Sequence, residues 1–134
     1  MSIEAIKTAM KSLIAAGTTM DLEALGKIYH DDLRIVMIDA QGHVNHADKV
    51  GFMTQFQALK DQGVPPLNTW AQYNDIWAEG NKGHVLVTRK NDLMGFDALL
   101  VLSIDFVFED NRWQVAREVI YVRPDTGDYT GEEN

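Results

Sequence analysis

The sequence contains no cysteine, which excludes disulfides, thiolate metal sites and a cysteine nucleophile and leaves the redox compartment open. Basic residues are also in short supply, with Lys and Arg totalling 12 against 20 Asp and Glu, for a formal charge of -8. That balance is the reverse of the footprint needed to hold a phosphate backbone or an anionic lipid surface, so neither nucleic acid nor membrane is expected as a partner. Nowhere is there a run of ~18 apolar residues, and Glu4, Lys7 and Lys11 interrupt the N-terminal stretch, so no spanning helix or signal peptide is expected and the expected location is cytoplasmic. A Gly-rich phosphate loop and a serine nucleophile elbow are missing too.

What the chain does have is apolar content. Its 134 residues are 46% hydrophobic, enough for one sizeable core and short for two, so a single domain is expected over residues 1–123. Residues 124–134 hold Asp125, Asp128, Glu132 and Glu133 with no Lys or Arg. This Pro-, Gly- and Asp-rich ending buries too little apolar area to offset its ordering entropy, and a flexible acidic tail is expected.

The most informative stretch is Leu22 to Leu59. A helical apolar spacing (Leu22, Leu25, Ile28, Tyr29) gives way at Tyr29-His30-Asp31-Asp32 to a strand-like run from Leu33 to Asp39, closed by Ala40-Gln41-Gly42. An earlier amphipathic helix is predicted from Ile3, Ile6, Met10, Leu13 and Ile14, ended by Gly17; Asp21 caps the second helix, with Thr18 and Thr19 as rivals. A short strand over 43–46 leads to Asp48, which opens a third helix with Val50, Phe52, Met53, Phe56 and Leu59 on its apolar stripe. Pro65 and Pro66 then mark a loop, since proline fixes φ and lacks an amide donor. Beyond Leu67 the period changes to two. Strands are predicted at about 69–79, 83–90, 96–109 and 112–122, separated by turn compositions that suit antiparallel neighbours. The order α-α-β-β-α-β-β-β-β argues for an α+β domain in which three helices in the N-terminal half pack on a curved, mainly antiparallel sheet.

This order and several local sequences resemble the nuclear transport factor 2-like superfamily, the cone-shaped fold shared with SnoaL-like polyketide cyclases, ketosteroid isomerases and scytalone dehydratase. The residues that carry the resemblance are Tyr29-His30-Asp31-Asp32, Gly42-His43-Val44-Asn45-His46-Ala47-Asp48, Asn74-Asp75-Ile76 followed by Gly80, and Arg112-Trp113-Gln114-Val115. It implies an apolar cavity between the helices and the concave sheet face, and a homodimer formed through the outer sheet face. Fold does not fix function here, because the superfamily includes enzymes, ligand binders and adaptors. Ketosteroid isomerase-like catalysis would use an Asp base on the first long strand and a protonated acid on a later one. This chain departs from that pattern: Met37 stands at the base position, Ile104 at the acid position, and the first helix has no Tyr.

Two carboxylates remain as candidate catalytic residues. Asp39 is either a pocket-rim carboxylate or a residue that bonds its own turn. Glu118 lies mid-strand in the set Gln114, Ala116, Glu118, Ile120, which the resemblance places toward the cavity; there its pKa would rise and suit general acid or base work. The opposite set, Trp113, Val115, Arg117, Val119, Tyr121, is as apolar, so an exposed or ion-paired Glu118 is the alternative. Tyr29, Met37, Phe52, Phe56, Trp70, Asn74, Ile104 and Ile120 are the candidate ligand-binding residues, with Asn74 orienting a polar group or making a cross-strand bond instead. The four histidines have no facial spacing, so neither a metal nor another cofactor is expected. The leading functional reading is a small-molecule-binding protein that takes an apolar or amphipathic molecule. The alternatives are an isomerase, cyclase or dehydratase using an acid–base carboxylate, and a protein-interaction module.

Overall fold

The computed structural model describes residues 2–134. Helix α1 (Ile3–Thr18) starts where the Ser2 hydroxyl accepts the Ala5 amide and buries Ile6, Met10, Leu13 and Ile14, the stripe set by their spacing. The chain reverses through Met20, which adopts φ 52, and Asp21 caps α2 (Leu22–Ile28) by accepting the Ala24 amide. No loop follows. Strand β1 (Tyr29–Ile38) begins at the next residue, so the Tyr29-His30-Asp31-Asp32 hinge belongs to the strand, four residues earlier than its predicted start. The reason is an irregularity in pairing: Tyr29 sits opposite Val115 but Arg34 opposite Arg117, so four residues of β1 stand against one of β6, with Asp31 and Asp32 exposed and Leu33 buried. The last carbonyls of α2 are taken by cations from elsewhere, Lys49 Nζ on Gly26 at 2.8 Å and Arg112 Nε on Lys27 at 3.1 Å.

Strand β2 (Val44–Asp48) returns antiparallel to β1, and Asp48 caps α3 (Lys49–Asp61) by accepting the Gly51 amide at 2.8 Å. Four strands then follow, β3 (Ala71–Glu79), β4 (Lys82–Asn91), β5 (Ala98–Glu109) and β6 (Arg112–Pro124). They join one six-stranded sheet in the order β2-β1-β6-β5-β4-β3, in which β1 and β6 are parallel and every other pair is antiparallel. Three helices plus this mixed sheet give the expected α+β cone and the expected order of elements.

Register sorts the sheet into two faces. One inner row runs Ile35, Glu118, Ile104, Val85, Ile76 across β1, β6, β5, β4 and β3, and the next runs Met37, Ile120, Leu102, Val87, Tyr73. Two bulges shift the simple alternation expected from sequence. Ala116 is an extra residue in β6, so Val115 and Glu118 both point inward although they fall in opposite sets by parity. Asn74 is an extra residue in β3, which places Tyr73 and Ile76 against the core and leaves Trp77 facing out. The acidic tail, read from sequence as frayed, lies back along the open edge of β3. Glu133 accepts the Ala71 amide at 3.2 Å, Asn134 accepts that of Tyr73, and Tyr129 meets Trp70 edge to face at 6.1 Å. These groups supply partners that an edge strand otherwise lacks. Among the described residues, no helix is long and apolar enough to cross a membrane.

Candidate functional site

Between the helices and the inner sheet rows lies a cavity of about 190 Å³. Its deep end is apolar and fully buried, with Met10 from α1 and Ile104 from β5. Phe52 and Phe56 from α3 and Tyr29 from β1 form a wall of edge-to-face and tilted aromatic rings with centroids 5.2–6.5 Å apart. At the other end exposed Asn68 and Leu93 frame the mouth, with Arg89 and Asn91 beside them.

Of the residues singled out from sequence, Tyr29, Met37, Phe52, Phe56, Ile104, Glu118 and Ile120 all line this cavity. Asp39, Trp70 and Asn74 do not. Asp39 Oδ1 accepts the Gln41 and His43 amides at 3.0 and 2.9 Å and Oδ2 meets His43 Nδ1 at 3.1 Å, so the carboxylate closes its own turn, and these bonds, with the His43 amide foremost, hold its pKa below the usual range. Trp70 packs against Tyr129 on one side and carries Lys90 Nζ 4.6 Å above its ring. Asn74 sits in the β3 bulge and donates to the Thr88 hydroxyl at 2.8 Å, the cross-strand bond that was its alternative reading.

Glu118 is the one carboxylate on the inner rows. It is 2% exposed, flanked in register by Ile35 and Ile104, and burial pushes its carboxyl up to about 7. Two groups oppose that shift without cancelling it: the positive charge of Arg89, and the Tyr29 hydroxyl, which is its hydrogen-bonding neighbour. Tyr29 is itself driven well above its ordinary pKa, first by burial and then by the charge of Glu118, so it is a fixed donor at physiological pH. The pair therefore presents one group poised to take or give a proton and one that donates a hydrogen bond, at the edge of an apolar space.

Arg89 was not singled out from sequence, though a signal was there. Alternation along Val85-Leu86-Val87-Thr88-Arg89 puts it on the face of two fully buried valines. Among the described residues, no three His, Cys, Asp or Glu side chains converge as a metal-binding group would require.

No family model matches this chain, and no curated protein does. Solved structures do match over nearly the whole chain. A nuclear transport factor 2-like protein of unknown function from Silicibacter pomeroyi has 16% identity and a TM-score of 0.72, with 90% of this chain and 95% of that one covered. One from Cytophaga hutchinsonii has 21% identity and a TM-score of 0.68 over 88% and 95% of the two chains. A third, from Rhodospirillum rubrum and described as of unknown function in nutrient uptake, has 22% identity and a TM-score of 0.64 over 87% and 97%. At these identities the likeness concerns architecture. The chain has the nuclear transport factor 2-like fold.

Proposed function

We propose that the protein binds a small apolar or amphipathic molecule inside the cone and moves a proton on it through Glu118. The observation that carries this reading is a buried carboxyl with a pKa near neutrality on the wall of an otherwise apolar cavity. A carboxylate kept from water is destabilised as an ion, which makes it a competent base when ionised and an acid when protonated, both accessible around pH 7. Once Glu118 has taken a proton, the Tyr29 O–H that it had engaged is free to donate to an oxygen on which negative charge develops. Together they suit isomerisation, dehydration or cyclisation of a carbonyl or hydroxyl compound without a cofactor. Asp39, tied into its turn and outside the cavity, takes no part.

The test pairs binding with turnover. Saturation-transfer NMR on a set of monocyclic aromatic fragments should show binding to the wild type and its loss in Leu102→Phe, which fills the space. Absence of binding, or binding that survives the filled cavity, removes the reading. For any substrate then found, Glu118→Gln should retain binding and abolish turnover, and retained turnover removes Glu118 from the chemistry.

We also infer that the outer sheet face pairs with a second copy of the chain. Its support is a patch in which Val44, Ile38, Tyr121 and Val101 fall side by side, with Val36 and Val119 in the next row. Tyr121 is 38% and Val44 52% exposed, an apolar surface that an isologous contact would cover.

A further inference from the structure

The mouth of the cavity differs in character from its walls, and Arg89 is the reason. Its Nε donates to the Trp70 carbonyl at 2.8 Å and Nη2 to the Asn68 carbonyl at 2.9 Å, which pins the guanidinium in one orientation. Neither bond neutralises its charge. Among the described residues, no carboxylate lies within 4.0 Å of it in an ion pair. The acids that act on it do so from beyond contact: Glu118 from the depth of the cavity, and Glu133, whose carboxylate is engaged by the Ala71 amide. A half-buried guanidinium fixed at a cavity mouth without an anionic partner is a ready-made seat for an incoming anion.

The neighbours at the mouth point the same way. Asn68 Oδ1 accepts the Trp70 amide at 2.8 Å and Asn91 Oδ1 accepts the Leu93 amide at 3.2 Å. With both oxygens committed, each side chain turns its NH₂ group to whatever else it meets. The mouth thus offers the third guanidinium nitrogen and two amide NH₂ groups, all donors. Register places Arg89 opposite Leu100, four residues along β5 from Ile104, the partner of Glu118. The Arg89 and Glu118 backbones are therefore separated by about 13 Å along the strands and about 10 Å across them. The Arg89 guanidinium is held at the Asn68 and Trp70 end of that gap, and the apolar space between it and Glu118 has room for one six-membered ring. A cavity of about 190 Å³ agrees with that size, since an apolar cavity of about 150 Å³ accommodates benzene.

We propose that the cavity is selective for a small carboxylic acid, with the ligand carboxylate held by Arg89, Asn68 and Asn91 at the mouth and its ring or branched chain directed toward Glu118 and Tyr29. This rests on the reading of the cone as a ligand site and names the class of ligand. It also makes binding proton-linked. The groups that face Glu118 are Tyr29 from β1 and Arg89 from β4, while α1 and α3 present Met10, Ile14, Phe52 and Phe56. A bound carboxylate adds negative charge near Glu118 and so favours its protonated form, and by reciprocity affinity should rise as pH falls from 8 to 6.

Benzoate and its neutral isostere benzamide are suitable probes, titrated by calorimetry and by chemical-shift mapping on the wild type and on Arg89→Gln. Benzoate should bind the wild type about tenfold or more tightly than benzamide, the difference expected of a hydrogen-bonded ion contact. Arg89→Gln should weaken benzoate far more than benzamide and so remove that preference. Benzamide binding as tightly as benzoate, or a benzoate preference that persists in Arg89→Gln, overturns the carboxylate assignment and leaves the ligand site standing. Binding of neither probe overturns both. Should Arg89→Gln fail to fold, the wild-type preference and its rise between pH 8 and pH 6 decide the matter, and a preference flat with pH counts against the proposal.

Discussion

Replacing Glu118 by Gln should change how stability depends on pH, and the size of the change follows from the burial of this one group. In the unfolded chain a Glu ionises at an ordinary value of 4.5, whereas in the fold this carboxyl holds its proton to about 7 because burial penalises the charge. Between those values the folded state binds more protons than the unfolded state, so stability falls as pH rises. The contribution is fully present below 4.5, declines through the interval, and is gone once pH has passed about 7. At about 1.4 kcal/mol per pH unit the interval amounts to roughly 3 kcal/mol, a large share of the 5–15 kcal/mol typical of a domain. Glutamine has the same shape and cannot ionise, so it is free of this penalty. Urea denaturation of wild type and Glu118→Gln from pH 4.5 to pH 8 gives the difference directly. Other titrations are common to both proteins and cancel, and Asp31, Asp39 and Asp128, held below the usual range by their cation and hydrogen-bond partners, ionise under the window. Relative to wild type the variant should gain about 3 kcal/mol across the range. A difference that stays flat would show that Glu118 ionises in the fold as it does in water, and the argument for acid–base work would go with it. A penalty of that size, kept on the wall of a cavity where Gln or Leu would fit, is what a group retained for chemistry looks like.

Three further outcomes follow from the packing. Gly83 in β4 is buried against the fully buried Ile6 of α1, and a Cβ there would collide with the Ile6 side chain, 2.7 Å from Cγ1; Gly83→Ala should cost about 1–3 kcal/mol in thermal unfolding, and Ile6→Val in the same chain should recover part of it. Asp39→Ala should loosen the 39–43 turn, seen as faster amide exchange at Gln41 and His43, without altering ligand affinity; a change in affinity would return Asp39 to the site. Sedimentation should show a dimer for the wild type and a monomer for Tyr121→Glu, because a charge in the centre of an apolar isologous contact meets its own copy; a monomeric wild type removes the pairing proposal.

The fold was legible because its signals are local and repeated. The helical spacing of Ile6, Met10, Leu13 and Ile14, the Asp21 and Asp48 caps, and the long alternation from Ala98 to Phe108 each specify an element, and their order leaves few ways to pack three helices on one sheet. The cavity was legible only in part, and the misses have a common cause. Alternation assigns faces correctly until a strand carries an extra residue, and no sequence signal announced the bulges at Asn74 and Ala116. Asn74 was therefore grouped with inward residues, while Glu118, whose strand offered two equally apolar faces, could not be placed until pairing with Ile104 and Ile35 fixed its direction. Arg89 is the more instructive omission. Alternation puts it on the face of Val85 and Val87, but what holds a basic side chain at the cavity is the backbone carbonyls of Asn68 and Trp70. Those carbonyls lie about twenty residues upstream, on the far side of β3 and its turn, a separation that periodicity cannot bridge. The two charged groups that distinguish this cavity from an ordinary core, Glu118 and Arg89, are thus the ones whose placement depends on tertiary pairing, and chemistry assigned to the cone stands or falls with them.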